Sequence, residues 1–172
     1  MKLQLRYYGD PILRKRASEV HDFDQQLRAE AEAMIDTMYE AAGVGLAGPQ
    51  VGLEKRLLVA LQMEDPDDNE AEPIVMVNPE ILERSPENWV FEEGCLSIPG
   101  IRGEVTRPER VRVRYQDVAG DSYVIEVDDM FARVIQHEID HLDGKLFIDY
   151  LSMGERTLLK PRLKKIAEKY AS

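Results

Sequence analysis

Apolar residues recur at every third or fourth position between Asp22 and Ala42, which is the spacing of one face of an α-helix. Either Asp22 or Asp24 is placed to act as the N-cap of this helix. The next segment, 43–52, contains four glycines and a proline. These residues rule out a continued helix and predict a tight loop whose backbone approaches other parts of the protein closely. The apolar face of the helix consists of Leu27, Ala31, Met34, Met38 and Ala41.

Short apolar runs after this loop predict β-strands. They occupy 57–61, 74–77 and 89–91. Two later segments, 111–115 and 123–127, alternate with a period of two residues, which is typical of half-buried strands. A glycine and an aspartate lie between these two segments and predict a turn, so the strands are expected to pair in the antiparallel sense.

A second helix is predicted after the last strand. Asp128 or Asp129 can cap its first turn, and it is expected to reach about Leu142. Gly144 stands where a C-terminal stop belongs.

The rest of the chain, 153–172, reads as a basic helix interrupted only by Pro161. The order of elements predicts an α+β fold in a single domain spanning 1–172. In this fold, antiparallel strands pack around the second helix, with one helix near the N-terminus and another near the C-terminus.

Composition narrows the class of protein. The chain contains one cysteine, Cys95, so an internal disulfide is excluded. The first residues contain no apolar run of signal-peptide length, and no window approaches the roughly 18 apolar residues that a membrane span requires. We therefore expect a cytoplasmic protein without a membrane partner.

Charge argues against one class of partner. The net charge is −11, whereas a dedicated DNA-binding protein needs a basic face for phosphate contacts. Residues 155–172 reverse this balance, with six basic and two acidic side chains. This tail can contact RNA, although a solvated helix face is the commoner meaning of such a run.

The string from Gln136 to Gly144 carries the clearest chemistry. His137 and His141 are four residues apart, so a helix places both imidazoles on one face, where they can bind one metal ion. Glu138 lies beside them and can move the proton of a water molecule. Two ordinary polar histidines would give the same pattern by chance, but two of the three histidines in the chain occur here, on a helix predicted independently. The pattern therefore favours hydrolysis and makes the second helix metal-binding.

The third ligand has to come from elsewhere, because a catalytic metal generally has three protein ligands and one open position. Phe147 occupies the position at which some metalloproteases carry a third histidine. His21 lies in a polar, acidic segment and is interpreted as a surface residue. Cys95, in a glycine-marked bend after a strand, is the better candidate, and a buried, unreactive cysteine is the alternative.

Three separated strings, 43–50, 93–97 and 136–144, resemble in order and spacing the three signature motifs of the peptide deformylases. The resemblance extends to the opening segment 8–13 and to the first helix. It implies a metal-dependent hydrolase that removes the formyl group from the N-terminal formylmethionine of newly made polypeptides and releases formate. Contact of the basic tail with the ribosome is a hypothesis that follows from this substrate.

The resemblance also implies the roles of individual residues. Glu138 is the general acid and base. Gln50 and the backbone N–H of Leu96 stabilise the oxygen of the formyl group as it becomes anionic. The implied metal ligands are Cys95, His137 and His141.

Substrate binding is implied at two positions, through the backbone of Gly45 and near a peptide groove at Arg102. Asp140 is expected either to orient an imidazole or to form a surface ion pair. An apolar pocket for the methionine side chain is a further expectation, although each of its residues can equally belong to the core. These residues are Val44, Ile98, Met130 and Val134.

The first motif departs from the family pattern, in which a second alanine commonly follows Ala47. Gly48 and Pro49 stand there in this chain. Neither change removes a reacting group, but both bear on the stiffness of the loop and on the shape of the pocket.

Two imidazoles and a thiolate suit Zn²⁺ or Fe²⁺. The resemblance favours one Fe²⁺ per chain, with Zn²⁺ as a common replacement. Two other functions are open on the residues alone. A general metalloprotease would share the helical motif, and a metal-stabilised binding module would require a fourth protein ligand.

Overall fold

The structure is a computed structural model that describes residues 3–171, and it has the predicted α+β architecture. The helices of this part of the chain are α1 (Gln25–Glu40), α2 (Asp129–Leu142) and α3 (Met153–Lys169). Helix α1 begins after Asp24, whose side chain accepts a hydrogen bond from the backbone N–H of Leu27 at 3.0 Å. Of the two candidate caps, Asp24 is therefore the one used. Helix α3 follows the prediction up to Lys169, and Ser172 lies outside the described residues.

The strands form two antiparallel sheets. The strands are β1 (Gly45–Ala47), β2 (Leu57–Leu61), β3 (Pro73–Arg84), β4 (Asn88–Cys95), β5 (Ile98–Pro108), β6 (Arg110–Gln116) and β7 (Ser122–Asp128). The larger sheet has the order β1-β2-β3-β6-β7, and the smaller sheet is the hairpin of β4 and β5. The five predicted strands are present; β2 has the predicted bounds, and the other four are longer than predicted.

Two strands were not predicted, and both are rich in residues that break regular patterns. Strand β1 lies in the glycine-rich segment and is held by its register with β2, in which Leu46 faces Val59. Strand β5 contains Pro99, Gly100 and Gly103, yet it pairs with β4 over most of its length. Pairing across strands satisfies these backbones, although their own sequences favour loops.

The larger sheet lies between α1 and α2. Strand residues alternate in direction, so Leu58 of β2 packs with Ile135 and Ile139 of α2. Leu57 of the same strand packs with Met34 of α1. Helix α2 therefore covers the face of the sheet opposite α1, and its apolar residues are buried there.

Helix α2 starts as predicted after Asp128, but the side chain of Asp128 makes no capping hydrogen bond. Asp129 has φ of +51°, a left-handed conformation that turns the chain sharply from β7 into the helix. At the other end, Gly144 has φ of +76° and follows the last helical residue, Leu142, as expected. No helix within residues 3–171 is long and apolar enough to cross a membrane.

Candidate metal centre

Helix α2 presents His137 and His141 on one face, one turn apart. Their ring centroids are 5.0 Å from each other, and both side chains are buried. Glu138 is buried beside them. The spacing that predicted a pair of imidazoles beside a carboxylate is therefore realised on a helix.

Cys95 is brought to this pair by the hairpin of β4 and β5. It is the last residue of β4, and the pairing with β5 shifts register between Gly94 and Cys95, just before the turn formed by Leu96 and Ser97. The sulfur of Cys95 lies 3.3 Å from Nε2 of His141. A residue more than forty positions away in the chain thus joins the two histidines.

The arrangement fits one metal ion. The three ligand atoms of Cys95, His137 and His141 all lie within 4.8 Å of one another. Sulfur and nitrogen ligands at their usual bond lengths around one tetrahedral ion are about 3.5 Å apart, so the atoms need only small movements to bind it. Among residues 3–171, no fourth histidine, cysteine, aspartate or glutamate joins the cluster. Three protein ligands are typical of a catalytic site, whereas a structural site has four.

Glu93 anchors the first imidazole. Its Oε1 lies 2.8 Å from Nδ1 of His137, and its carboxylate also accepts hydrogen bonds from Arg107 and Arg133. Burial raises the pKa of Glu93, but the hydrogen bonds from His137 and Arg107 outweigh burial and lower the pKa to about 2. The charged carboxylate therefore accepts the Nδ1 proton of His137 and leaves Nε2 free to bind a metal.

His141 is suited to bind as a neutral ligand. Burial lowers the pKa of His141 well below its usual range, and positive charge on His137 lowers it further. A neutral imidazole is the form that coordinates a metal. Nδ1 of His141 is buried and finds no hydrogen-bond partner within the described part of the protein.

Glu138 points its carboxylate into an apolar setting beside the ligands. Burial raises the pKa of Glu138 to about 7, and its Oε1 has no hydrogen-bond partner among the described residues. A carboxyl group with a pKa close to neutral is well matched to accept and return a proton. A Cβ atom at Gly45 would lie 2.7 Å from Oε2 of Glu138, so only glycine fits against this carboxylate.

Gln50 also lies beside Cys95. It is fully buried in the short 3₁₀ turn Gly48–Val51, and its Oε1 accepts a hydrogen bond from the backbone N–H of Ala47. Its Nε2 donates to Oγ of Ser97 at 3.2 Å and approaches the sulfur of Cys95 at 3.4 Å. Gly48 and Pro49 keep the turn compact, because a Cβ at Gly48 would lie 2.7 Å from the backbone oxygen of Lys55.

A cavity of about 590 Å³ opens above these groups. Its lining includes most of the residues predicted to contact substrate: Val44, Gly45, Leu96, Arg102, Met130 and Val134. Ile98 is placed elsewhere, because it is fully buried in the core that β5 shares with α3, and Ile101 of the same strand lines the cavity instead. Arg102 lies across Gly94 and pairs with Glu92 at 2.9 Å.

Several residues of the site were missed from the sequence. Arg107 donates to both Glu93 and Asp140, so Asp140 orients an arginine and accepts from Tyr150 rather than contacting an imidazole. Met63 and Phe91 also line the cavity. The position of Glu93 within the second motif string was a signal, since a buried acid beside a metal ligand is a frequent partner of a histidine.

Replacing Glu93 by glutamine is expected to weaken both the fold and metal binding. The change leaves Arg133 buried without an anion, and loss of one partner of a buried ion pair costs about 3–5 kcal/mol of the free energy of unfolding. Metal affinity is expected to fall about 10- to 100-fold, because the neutral amide oxygen of glutamine is a weaker acceptor for the Nδ1 proton of His137 than the carboxylate is. Denaturant titration of the metal-free protein and competition with a chelator measure the two effects. Glu92→Gln, at the exposed neighbouring position, is the control and should retain both properties.

Sequence comparison identifies relatives over almost the whole chain. The model of the polypeptide deformylase family matches residues 2–157, which include all three motif strings. The peptide deformylase of Thermotoga neapolitana is 48% identical over 165 residues, covering 96% of this chain and 96% of that protein. The peptide deformylase of Bartonella tribocorum is 48% identical over 159 residues, covering 92% of this chain and 89% of that protein.

Solved structures show the same fold. The crystal structure of peptide deformylase from Thermotoga maritima has a TM-score of 0.82 and 47% identity, covering 88% of this chain and 99% of that one. The crystal structure of peptide deformylase from Thermus thermophilus has a TM-score of 0.89 and 42% identity, covering 98% of this chain and 99% of that one. The similarity in sequence is thus accompanied by similarity in three dimensions.

Proposed function

The chain belongs to the peptide deformylase family, and we propose that it hydrolyses the formamide bond of N-formylmethionine at the start of newly made polypeptides, releasing formate. The observation that carries the proposal is the convergence of Cys95, His137 and His141 within 4.8 Å of one another, beside the buried carboxylate of Glu138. This is the geometry of a hydrolytic metal site.

Three residues around the metal ligands have defined roles in this reaction. The metal, when bound, supplies a Lewis acid that lowers the pKa of water and polarises a carbonyl group. Glu138 accepts the proton of the attacking water and returns it to the departing amine. Gln50 donates its side-chain N–H, and Leu96 its backbone N–H, to the oxygen of the formyl group as negative charge develops there.

The cavity holds the rest of the substrate. Strand β1 is at the edge of its sheet, and Gly45 of this strand lines the cavity beside Glu138. Its backbone can therefore form hydrogen bonds with the backbone of a peptide. Val44, Met130 and Val134 supply apolar surface for the methionine side chain. Arg102, half exposed at the rim, can bind the peptide further along.

We propose Fe²⁺ as the native metal, one ion per chain, with Zn²⁺ as a replacement. Two imidazoles and a thiolate suit both ions. An iron site with an accessible thiolate is sensitive to oxygen, since Fe²⁺ can be oxidised next to an oxidisable sulfur, whereas Zn²⁺ has no redox chemistry of its own. The iron-loaded protein should therefore lose activity in air, whereas the zinc-loaded protein should keep whatever activity it has.

The proposed reaction is tested by measuring formate release from an N-formylmethionyl peptide, with protein purified anaerobically in Fe²⁺. The unformylated peptide is assayed in parallel for cleavage. Formate release without peptide cleavage supports the proposal. Cleavage of the unformylated peptide would indicate a general metalloprotease, and metal binding without either reaction would indicate a binding module.

Replacing Gln50 by alanine is expected to lower kcat by about 10²- to 10³-fold, the usual effect of removing one preorganised donor to an oxyanion. KM and metal content should stay near those of the wild type, because Gln50 is not among the ligands. Steady-state kinetics and metal analysis check both expectations. A kcat within about threefold of the wild type would show that this amide is not a donor.

We propose that the basic helix α3 contacts ribosomal RNA and that the protein works in the cytoplasm, where Cys95 stays reduced and able to bind metal. The face of α3 that carries Lys160 and Lys164 is exposed to solvent. Deletion of α3 is a poor test, since Leu163 and Ile166 belong to the core.

Charge reversal at Lys160 and Lys164 is expected to reduce co-sedimentation with ribosomes and to leave formate release unchanged. The reduction should be largest at low salt, because counterion release dominates such contacts. The control reverses Arg84 and Lys145, two exposed basic residues on other elements. Equal recovery of both variants and the wild type would contradict contact through α3.

A further inference from the structure

The segment Arg6–Tyr8, here called the N-terminal strap, joins two loops of the site. The backbone N–H of Arg6 donates to the carbonyl of Gln50 at 2.7 Å. The backbone N–H of Tyr8 donates to the carbonyl of Ser97 at 2.9 Å. One short piece of chain is thus bonded to the 3₁₀ turn that carries Gln50 and to the hairpin turn that follows Cys95.

The strap limits how far these two loops can separate. Two residues of extended chain span at most about 7 Å, so while both hydrogen bonds are made the strap sets an upper limit on the distance between the carbonyls of Gln50 and Ser97. Gln50 carries one of the two proposed oxyanion donors, and the N–H of Leu96 is the other, one residue before Ser97. The hydrogen bond from Nε2 of Gln50 to Oγ of Ser97, at 3.2 Å, joins the same two loops from the side of the cavity.

Helix α3 holds the strap from outside. The ring of Tyr7 stacks on that of Tyr170, the C-cap residue directly after α3, with centroids 3.6 Å apart and an angle of 14° between the planes. A Cβ atom at Gly9 would lie 2.7 Å from Cβ of Ala167, so the chain after the strap lies directly against α3. Tyr7, Tyr8 and Cys95 also pack against the core cluster to which α3 contributes its buried residues.

We propose that the N-terminal strap is a positioning element that sets the separation of the two oxyanion donors, and that α3 keeps the strap in place. The proposal rests on the roles proposed above for Gln50 and Leu96. The two hydrogen bonds of the strap end on the carbonyls of Gln50 and Ser97 and not on a metal ligand, so these bonds act on the reaction through the two loops. Oxyanion donors are effective because they are fixed before the reaction, and a misplacement of 1 Å can cost about 10²-fold in rate.

The test removes the hydrogen bond between the strap and Gln50. Arg6→Pro deletes the N–H that donates to the carbonyl of Gln50, and it also removes the side chain of Arg6, whose guanidinium pairs with Asp10 at 3.2 Å. Arg6→Ala, which loses the ion pair but keeps the N–H, is therefore the matched control and should keep kcat near that of the wild type. Gln4→Pro, at an exposed position two residues earlier, controls for a proline in this part of the chain. Arg6→Pro is expected to lower kcat by about tenfold or more, with KM within about twofold and metal content unchanged. Amide hydrogen exchange at Leu96 in the metal-free protein should become faster in Tyr8→Pro, in which the other strap bond is lost.

A double-mutant cycle separates positioning from general stability. If the strap acts through Gln50, Arg6→Pro should change kcat by less than about twofold in a Gln50→Ala background. Equal effects of Arg6→Pro in both backgrounds would overturn the proposal and leave the strap as a structural contact. A wild-type protein that releases no formate would instead contradict the proposed function itself.

A second variant keeps the test informative if Arg6→Pro fails to fold. Tyr170→Ala removes the ring that stacks on Tyr7 and leaves the backbone unchanged. We expect a smaller loss of kcat, about threefold, that again disappears in the Gln50→Ala background. Leu158→Ala, at an exposed position of α3, is the control and should behave as the wild type. Unchanged kcat in Tyr170→Ala would overturn the role given to α3.

Discussion

In the Glu138→Gln variant, kcat for formate release is expected to fall by about 10²- to 10⁴-fold while the metal content stays at the level of the wild type. Glutamine has the shape of the glutamate side chain but cannot accept and return a proton. Gly45 leaves room for this side chain and no more, so the substituted amide should occupy the same place. Steady-state kinetics and elemental analysis of the same preparation measure the two quantities.

Glu126→Gln is the matched control, since Glu126 is exposed on β7, away from the cavity. It should retain both activity and metal. A Glu138→Gln protein with kcat within about tenfold of the wild type would show that another group moves the proton. Loss of the metal in the same variant would show that Glu138 contributes to binding the ion.

Replacing Cys95 by alanine is expected to abolish stable metal binding. The sulfur is one of only three ligand atoms in the cluster that the described residues form. Loss of an outer partner of a ligand already costs about 10- to 100-fold in affinity, so loss of a ligand should exceed about 100-fold. After dialysis, we expect little metal in the variant and formate release at or near background.

The single cysteine makes this experiment easy to interpret. In the wild type loaded with Co²⁺, absorption from thiolate-to-metal charge transfer can arise only from Cys95. That band should be absent in Cys95→Ala and present in His21→Ala, which replaces the exposed third histidine. An unchanged metal content in Cys95→Ala would remove the thiol from the set of ligands.

The features that depend only on residues close together in the sequence could be predicted from it. The pair His137 and His141 could be predicted because a helix fixes the direction of residues four apart. Helix α1 and the two strands with alternating residues followed from periodicity for the same reason. Cys95 could only be chosen by comparing candidates and by resemblance, since its approach to the histidines depends on how the β4 and β5 hairpin packs.

The charged network behind His137 could not be predicted in this way. Glu93, Arg107 and Arg133 come from β4, β5 and α2. Glu93 carried a signal through its place in the second motif string, but the two arginines look like ordinary surface charges in their own segments. Strand β5 itself was missed because its glycines and prolines favour a loop. For Ile98 the sequence left the pocket and the core equally open, and the structure places it in the core. Which face of an irregular strand is buried depends on long-range packing, so the sequence could not decide between the two.

The contact between Gly45 and Glu138 determines where the cavity tolerates substitution. A Cβ atom at position 45 would lie 2.7 Å from Oε2 of Glu138 and 2.8 Å from Cγ1 of Val134. The wall of the cavity at Gly45 is therefore constrained by the carboxylate that we propose to carry the proton. Val44, the adjacent residue, is 38% exposed and meets no such restriction. Substitutions that change ligand preference, in evolution or in design, are therefore expected at exposed positions such as Val44 and not at Gly45.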